Sequence, residues 1–312
     1  MRVFALFSLF LIICLPSAGA FAAPPKSPPP FQIIGYLPEY RVVALSPVAL
    51  SGVTGCVFFS LEPTSAGGID STRLTPAISA KLQTLRRHAQ CHFWIAVGGW
   101  ERSAGFAPMA ADAGRRRRFA QALAALCLAG GFSGADFDWE HPANAQQEAD
   151  YSALLAETRR AFTPHGLRLS VTVAPWQGLD REAIEAVDEV HLMSYDHPGR
   201  HSTLAQAEAD TEAMLAHGVP ASKLCLGLPF YGRGIVQSDR TLAYVDIVKQ
   251  FRPRPSEDEA EGLYFNGPDT VKAKVRYALR RHLGGVMVWE LGQDTPGTGS
   301  LVRAIEQEAT RP

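Results

Sequence analysis

Three carboxylates, Asp136, Asp138 and Glu140, stand two residues apart in the run Gly131-Phe132-Ser133-Gly134-Ala135-Asp136-Phe137-Asp138-Trp139-Glu140. Successive side chains of a strand point to opposite faces, so the three acids share one face while Phe137 and Trp139 pack on the other. Acids crowded on one partly buried face repel each other and lose hydration, and both effects favour the protonated form. A carboxylic acid that keeps its proton near neutral pH is a general acid, and its neighbours are its tuning partners. Two plainer readings are weaker. A solvated antiparallel strand could alternate acids with aromatics, but the preceding turn and the following His141-Pro142 read as a strand end in an α/β unit, where parallel strands are buried. A metal site would need more donors: His141 should point away from Glu140 in a continuing strand, and no second histidine sits at ligand spacing.

The rest of the chain must hold that face in place. Strand-like runs recur at Phe31 to Tyr36, Gly55 to Ser60, Phe93 to Val97, Gly134 to Asp138, Leu167 to Val173, Glu189 to Ser194, Leu224 to Leu228 and Gly285 to Trp289. Helical patterns alternate with them at Pro76 to His88, Arg115 to Leu128, Ala145 to Phe162, Arg181 to Val187, Leu204 to His217 and Thr270 to His282, the last with Asp269 as expected N-cap. Eight strands alternating with helices predict the α/β class and a (β/α)8 TIM barrel, whose chemistry sits at the carboxyl ends of the strands. Gly234 to Gly267 is too long for a plain loop, and its Arg252–Glu259 stretch predicts an exposed, mobile excursion.

With 312 residues, 46% hydrophobic and 20% charged, the composition is that of an ordinary globular chain. A net charge of -1 gives no electrostatic reason to expect nucleic acid or an anionic membrane as partner. The arginine run Arg115 to Arg118 precedes Phe119, Leu123, Leu126 and Cys127, and so reads as the wet first turn of a core-facing helix. Met1-Arg2, an apolar stretch from Val3 to Leu15 and small residues through Ala23 have the three parts of a secretory signal peptide, with cleavage after Ala20 or Ala22. The expected organisation is residues 1–22 as signal peptide, 23–30 as a Pro-rich leader and 31–312 as a single catalytic domain, secreted to the extracellular space or periplasm. Export would leave Cys56, Cys91, Cys127 and Cys225, which permit up to two disulfides or remain buried thiols.

The run ending Asp136-Phe137-Asp138-Trp139-Glu140 resembles the DxxDxDxE motif of family 18 glycoside hydrolases, the chitinase family. Gly35-Tyr36, Gly98-Gly99-Trp100, Met193-Ser194-Tyr195-Asp196, Leu228-Pro229-Phe230-Tyr231-Gly232-Arg233 and Val288-Trp289-Glu290 agree with the family in order, so the resemblance spans about Phe31 to Asp294. It implies retaining, substrate-assisted cleavage of β-1,4-linked N-acetylglucosamine polymers, without cofactor or metal and as a monomer. Glu140 would be the general acid, Asp138 would hold the substrate's acetamido N–H, Asp136 would share a proton behind it, and Tyr195 would orient the acetamido carbonyl. Substrate contacts would come from Asp196, Trp289, Tyr36, Trp100, Met193 and Arg233, with Tyr231 lining the cleft. Tyr36, Trp100 and Trp176 are equally readable as packing residues.

The chain departs from the family at two positions: Ser133 replaces the first aspartate of the motif, and Ala96 replaces the serine of SxGG. Both changes are expected to weaken the support of Asp136 and to shift rate or pH range rather than abolish activity. The segment after the seventh strand is too short for the family's larger α+β insertion, which implies an open cleft. Peptidoglycan or another N-acetylglucosamine glycan is an alternative substrate, and a non-catalytic chitin-binding lectin is the alternative of another class; intact Glu140 speaks against the lectin.

Overall fold

The computed structural model describes residues 30–311; the expected signal peptide, and all of the leader but its last residue, lie outside the described residues. Eight parallel strands form the centre: β1 Gln32–Pro38, β2 Gly55–Pro63, β3 His92–Gly98, β4 Gly134–Asp138, β5 Arg168–Val173, β6 Glu189–Leu192, β7 Leu224–Pro229 and β8 Gly285–Trp289. They pair in the order β1-β8-β7-β6-β5-β4-β3-β2, and β1 pairs β2 to close the barrel. All residues of β4, β6 and β7 are buried, as the near-continuous apolar runs of a parallel sheet covered on both faces require. All eight expected strands are present, within one to three residues at their ends.

The large apolar core lies between the strands and the surrounding helices, with Phe119, Phe137, Phe162 and Leu155 among its buried members. A second, smaller apolar cluster fills part of the barrel interior and includes Ile34, Tyr36, Phe59, Trp94 and Ala96. The interior wall made by β4, β5 and β6 is instead polar: Asp136, Asp138, Ser170, Thr172, Glu189 and His191 are all buried. Helices start where side chains satisfy the free backbone N–H groups of the first turn. Asp112, Asn144 and Asp180 cap Ala113–Gly130, Ala145–Phe162 and Arg181–Ala186, and Thr203 forms a capping box with Gln206 at Leu204–Ala216. The arginine run does form the wet first turns of Ala113–Gly130, with Arg115, Arg117 and Arg118 exposed.

Two expectations change, and one question left open is decided. Asp269 is not an N-cap: Pro268, whose fixed φ suits the first helical position, starts the helix Pro268–Arg280 earlier, and Gly267 takes the cap position. Gly234 to Gly267 is folded rather than a loose excursion. Tyr231–Gly234, Thr241–Ala243, Leu263–Tyr264 and Glu259–Ala260 make a small antiparallel sheet beside the helix Tyr244–Phe251. Asp258 fastens its far end by accepting hydrogen bonds from Gly267 N at 2.8 Å and Thr270 Oγ1 at 2.6 Å. Among the described residues, Cys56, Cys91, Cys127 and Cys225 are all free thiols, which decides between the two readings left open by sequence. No helix among the described residues is long and apolar enough to cross a membrane.

Candidate active site

The carboxyl end of β4 is held by the loop after β3. Gly99 N and Ser103 Oγ both donate to the Asp138 carbonyl, at 2.6 and 3.1 Å, and Glu140 N donates to Ser103 Oγ at 3.0 Å. This closeness explains the paired glycines. Gly98 and Gly99 have φ of 98° and 103°, and a Cβ on Gly98 would lie 2.2 Å from the Asp138 carbonyl oxygen.

Asp136 is fully buried inside the barrel and takes hydrogen bonds from Ser170 Oγ at 2.6 Å, Thr172 Oγ1 at 2.8 Å and Tyr36 Oη at 2.9 Å. Asp138, one step nearer the barrel mouth, is buried, and its Oδ1 has no hydrogen-bond partner. Burial pushes its carboxyl well up, and the charges of Glu140 and Asp136 push the same way. Burial likewise raises Glu140 to about 7, aided by the charge of Asp196 and opposed by a backbone hydrogen bond from Trp100.

Asp138 and Glu140 open into a cavity of about 190 Å³ at the barrel mouth, which Tyr195, Asp196, Met193, Trp289 and Trp100 also line. The Tyr195 hydroxyl has only the Met287 thioether as a contact, at 3.9 Å, and its pKa is raised well above the ordinary value by burial and then by Asp138. The phenol therefore keeps its proton. Asp196 is half exposed; burial works to raise its pKa, but His201, the Tyr231 hydroxyl and Arg233 outweigh burial and hold it low. Tyr231 Oη donates to Asp196 Oδ1 at 2.6 Å and Arg233 Nη1 approaches it at 2.9 Å, whereas His201 Nδ1, at 3.6 Å, is beyond hydrogen-bond reach. Arg233 and Trp289 border an adjoining hollow of about 330 Å³. A larger hollow of about 670 Å³ between residues 41–51 and 291–306 contains none of the three aligned acids, so the chemistry is assigned to the smaller cavity.

Several expected residues sit differently. Tyr36 does not offer its ring to a sugar: it is 1% exposed, packs against Phe59 and Trp289, and reaches the cavity only at its floor. Trp100 and Trp176 are 70% and 69% exposed, so neither is a core residue. His141 does not point away from Glu140. The strand ends at Asp138, so alternation stops there, and His141 Nε2 comes to 3.7 Å from Glu140 Oε2 with its ring against Trp176. Ser133 precedes β4 and lies 3.5 Å from His92, on the far side of the strand from the acids' end. Ala96 is across from Asp136 in the strand register, but Ser170 and Thr172 on β5 already supply hydroxyls to that carboxylate, so the expected weakening of its support is not what the geometry shows.

Sequence reasoning missed Ser170, Thr172, Glu189 and His191. Their signal was present as polar residues at alternating positions of otherwise apolar strands, and the register sets Asp136 beside Ser170 and Thr172 beside His191. Glu189, His191 and Cys225 are the one group of three metal-capable donors gathered within 4.8 Å among the described residues. Glu189 and His191 are already committed to Arg168 and Tyr36.

Comparison with known proteins follows the same lines. Chitinase 1 of Aphanocladium album is 26% identical over 271 residues, covering 68% of this chain and 64% of that protein. The chain spans less than two thirds of the length of the first curated relatives it matches. Among solved structures, the GH18 chitinase from the chitin utilization locus of Flavobacterium johnsoniae superposes with a TM-score of 0.81 at 24% identity, covering 90% of this chain and 94% of that one. A mutant plant class V chitinase from Cycas revoluta, in complex with (GlcNAc)3, gives 0.78 at 22%, covering 89% and 99%. At such identities the likeness speaks for the barrel. Residues 32–294 match the description Glycosyl hydrolases family 18, and since that match takes in every barrel strand and the acid row on β4, the chain belongs to this family.

Proposed function

We propose that the protein is a chitinase-like glycosidase that cleaves β-1,4-linked N-acetylglucosamine polymers and retains the anomeric configuration. One observation carries this reading: a carboxyl raised to about 7, Glu140, shares a cavity with Asp138, whose buried Oδ1 has no partner. Glu140 gives its proton to the glycosidic oxygen as the bond to the anomeric carbon breaks. The carbonyl oxygen of the substrate's own 2-acetamido group attacks that carbon, which makes this a substrate-assisted scheme rather than one with a carboxylate nucleophile. The acetamido N–H donates to Asp138, whose charge offsets that of the oxazolinium ion. The Tyr195 hydroxyl donates to the acetamido carbonyl and orients it. Ionised Glu140 then takes a proton from the water that opens the ion from the same face. Trp289 is the apolar floor under the sugar, Trp100 and Met193 extend that contact, and Asp196, held by Arg233, meets the distorted ring. Tyr36 acts from beneath through Asp136.

Family membership supports the reaction class, and the (GlcNAc)3 bound in the cycad structure supports the substrate class. The same reading makes 31–312 one cofactor-free catalytic domain acting as a monomer, exported by a segment at 1–22; support for export is the charged, apolar and small-residue pattern of that segment. The test is incubation with chitin hexasaccharide and with peptidoglycan, reading product masses and early product anomers by NMR. Shortened chitin oligomers bearing the β-anomer are expected. No cleavage of the hexasaccharide overturns the activity, and an α-anomer product overturns the mechanism.

A further inference from the structure

Lys274, on the helix Pro268–Arg280 that leads into β8, is the only buried lysine among the described residues. Its Nζ donates to Ser202 O at 2.8 Å, Ser202 Oγ at 2.7 Å and Asn266 Oδ1 at 2.8 Å, three acceptors for the three hydrogens of an ammonium. Asn266 Nδ2 donates to the same Ser202 carbonyl at 2.8 Å, so the amide cannot turn over without losing both contacts. Burying a charge costs free energy, and burial pulls the lysine down to about 7 against the opposing charges of Asp258 and Asp210. The reaction proposed above makes no use of this group. What it holds is the loop between β6 and the helix Leu204–Ala216.

Ser202 passes the contact on, its Oγ donating to Ser194 O at 2.8 Å, and Ser194 Oγ in turn donates to Asp210 Oδ2 at 2.5 Å. His197 Nε2 lies 2.8 Å from the same Asp210 oxygen, and His197 N donates to His201 O at 3.1 Å. Tyr195 and Asp196, the two cavity residues of this loop, therefore stand between two tied residues. Asp196 has a φ of 64°, in the left-handed region that costs a residue with a Cβ free energy, so its surroundings must hold it there. Tyr195 supplies no anchor of its own, since its hydroxyl meets only the Met287 thioether at 3.9 Å. Where that hydroxyl points is set by the backbone.

We propose that Lys274 is a positioning residue: from outside the cavity it latches Ser202 to Asn266 and so sets the loop backbone that aims the Tyr195 hydroxyl and Asp196 at the substrate. It touches no substrate itself. This inference rests on the reading of Tyr195 as the residue that orients the acetamido carbonyl, but the latch is read independently of turnover.

The experiment compares the full-length parent, Lys274→Met, Tyr195→Phe and the double variant at pH 5, where an ammonium with a pKa of about 7 keeps its charge. Amide hydrogen exchange is followed first by NMR, without substrate. In Lys274→Met the His197 N–H should exchange faster, while the amides of the barrel strands keep their parental rates. Unchanged exchange at His197 overturns the latch, and so does an acceleration spread over the whole barrel, which would mark a general loss of stability. With chitin hexasaccharide, Lys274→Met should lower kcat by up to about 10²-fold, the order that a displacement of about 1 Å is worth, with KM changed less. In the Tyr195→Phe background the same substitution should cost much less, because the hydroxyl it aims is already gone. Losses that multiply in the double variant overturn the positioning role. If Lys274→Met does not fold, Ser202→Ala, which removes the donor to Ser194 O and leaves Lys274 two acceptors, is read in the same two ways. A parent that cuts no chitin oligomer while Lys274→Met frees the His197 amide would sink the proposed activity and leave the latch standing.

Discussion

Ala96 and Asp136 are register partners on adjacent strands, yet the alanine gives the aspartate no hydrogen bond, and the hydroxyls that hold it come from Ser170 and Thr172 on the other side. Hydrogen bonds to a charged group are worth about 1.5–3 kcal/mol each. Thr172→Val should therefore destabilise the fold by about that amount, measured by urea unfolding, and alter the pH-rate profile. Ala96→Ser adds a donor to a carboxylate that already has three, and Ser133→Asp adds a charge about three residues of strand, roughly 10 Å, from Asp136. Both should leave the profile of the parent within about twofold, a difference of RT ln 2 or about 0.4 kcal/mol. A clear shift with Ser133→Asp would mean that charge at the barrel's amino end reaches the site.

Glu140→Gln should fold normally and bind N-acetylglucosamine oligomers, because the amide keeps the shape of the side chain. Turnover should fall about 10²–10⁴-fold, the usual worth of a positioned general acid. The comparison is kcat on an unactivated chitin oligosaccharide; near-parental turnover would remove Glu140 from the role of acid.

The barrel was legible because strands buried on both faces must be apolar runs, and Leu224 to Leu228 or Phe93 to Val97 admit little else. Alternation also located Asp136 and Asp138 on the inner face. It failed one step later: β4 ends at Asp138, so the rule that sent His141 away from Glu140 no longer applied. Tyr36 was ambiguous in principle, since an aromatic near a strand's end can meet a sugar or a neighbour, and only the closed barrel shows its hydroxyl on Asp136. Ser170, Thr172 and His191 reach Asp136 from the next two strands, with Glu189 behind His191, all assembled by register between strands that a local reading treats separately.

Trp289 packs its edge on Phe59 at 4.7 Å and leaves a partly exposed face towards the cavity. Trp289→Ala in the Glu140→Gln background should weaken binding of N-acetylglucosamine tetramer by about 1–2 kcal/mol, a factor of roughly 5–30. Calorimetry on the folded double variant measures it. Equal affinities would assign the ring to packing against Phe59 alone.

Gly98→Ala tests the clamp on the strand end. A methyl there meets the Asp138 carbonyl oxygen at 2.2 Å, in a backbone with φ of 98° that an L side chain rarely adopts. The strain alone costs about 1–3 kcal/mol, and relieving the clash must move the backbone that carries Glu140. Lower stability and lower kcat should appear together. A variant as stable and as active as the parent would show that this contact does not position the acid.

The raised carboxyl of Glu140 couples activity to stability. Its pKa goes from 4.5 to about 7 on folding, so the folded state binds its proton more tightly than the unfolded state. Relative stability from this group is fully present below pH 4.5 and is lost as pH rises through about 7. A shift of that size corresponds to about 3 kcal/mol, since each pKa unit is worth about 1.4 kcal/mol. Above pH 7 the parent therefore buries a charge that Glu140→Gln does not have. Urea unfolding at pH 5 and pH 8 should show the glutamine variant gaining on the parent by up to about 3 kcal/mol between the two conditions. Over the same interval the parent's kcat should fall as the acid loses its proton, and the variant's small residual rate should not follow that limb. Stability differences that stay constant from pH 5 to pH 8 would mean that Glu140 titrates as an ordinary carboxylate, and the neutral-pH proton donor would have to be sought elsewhere in the cavity.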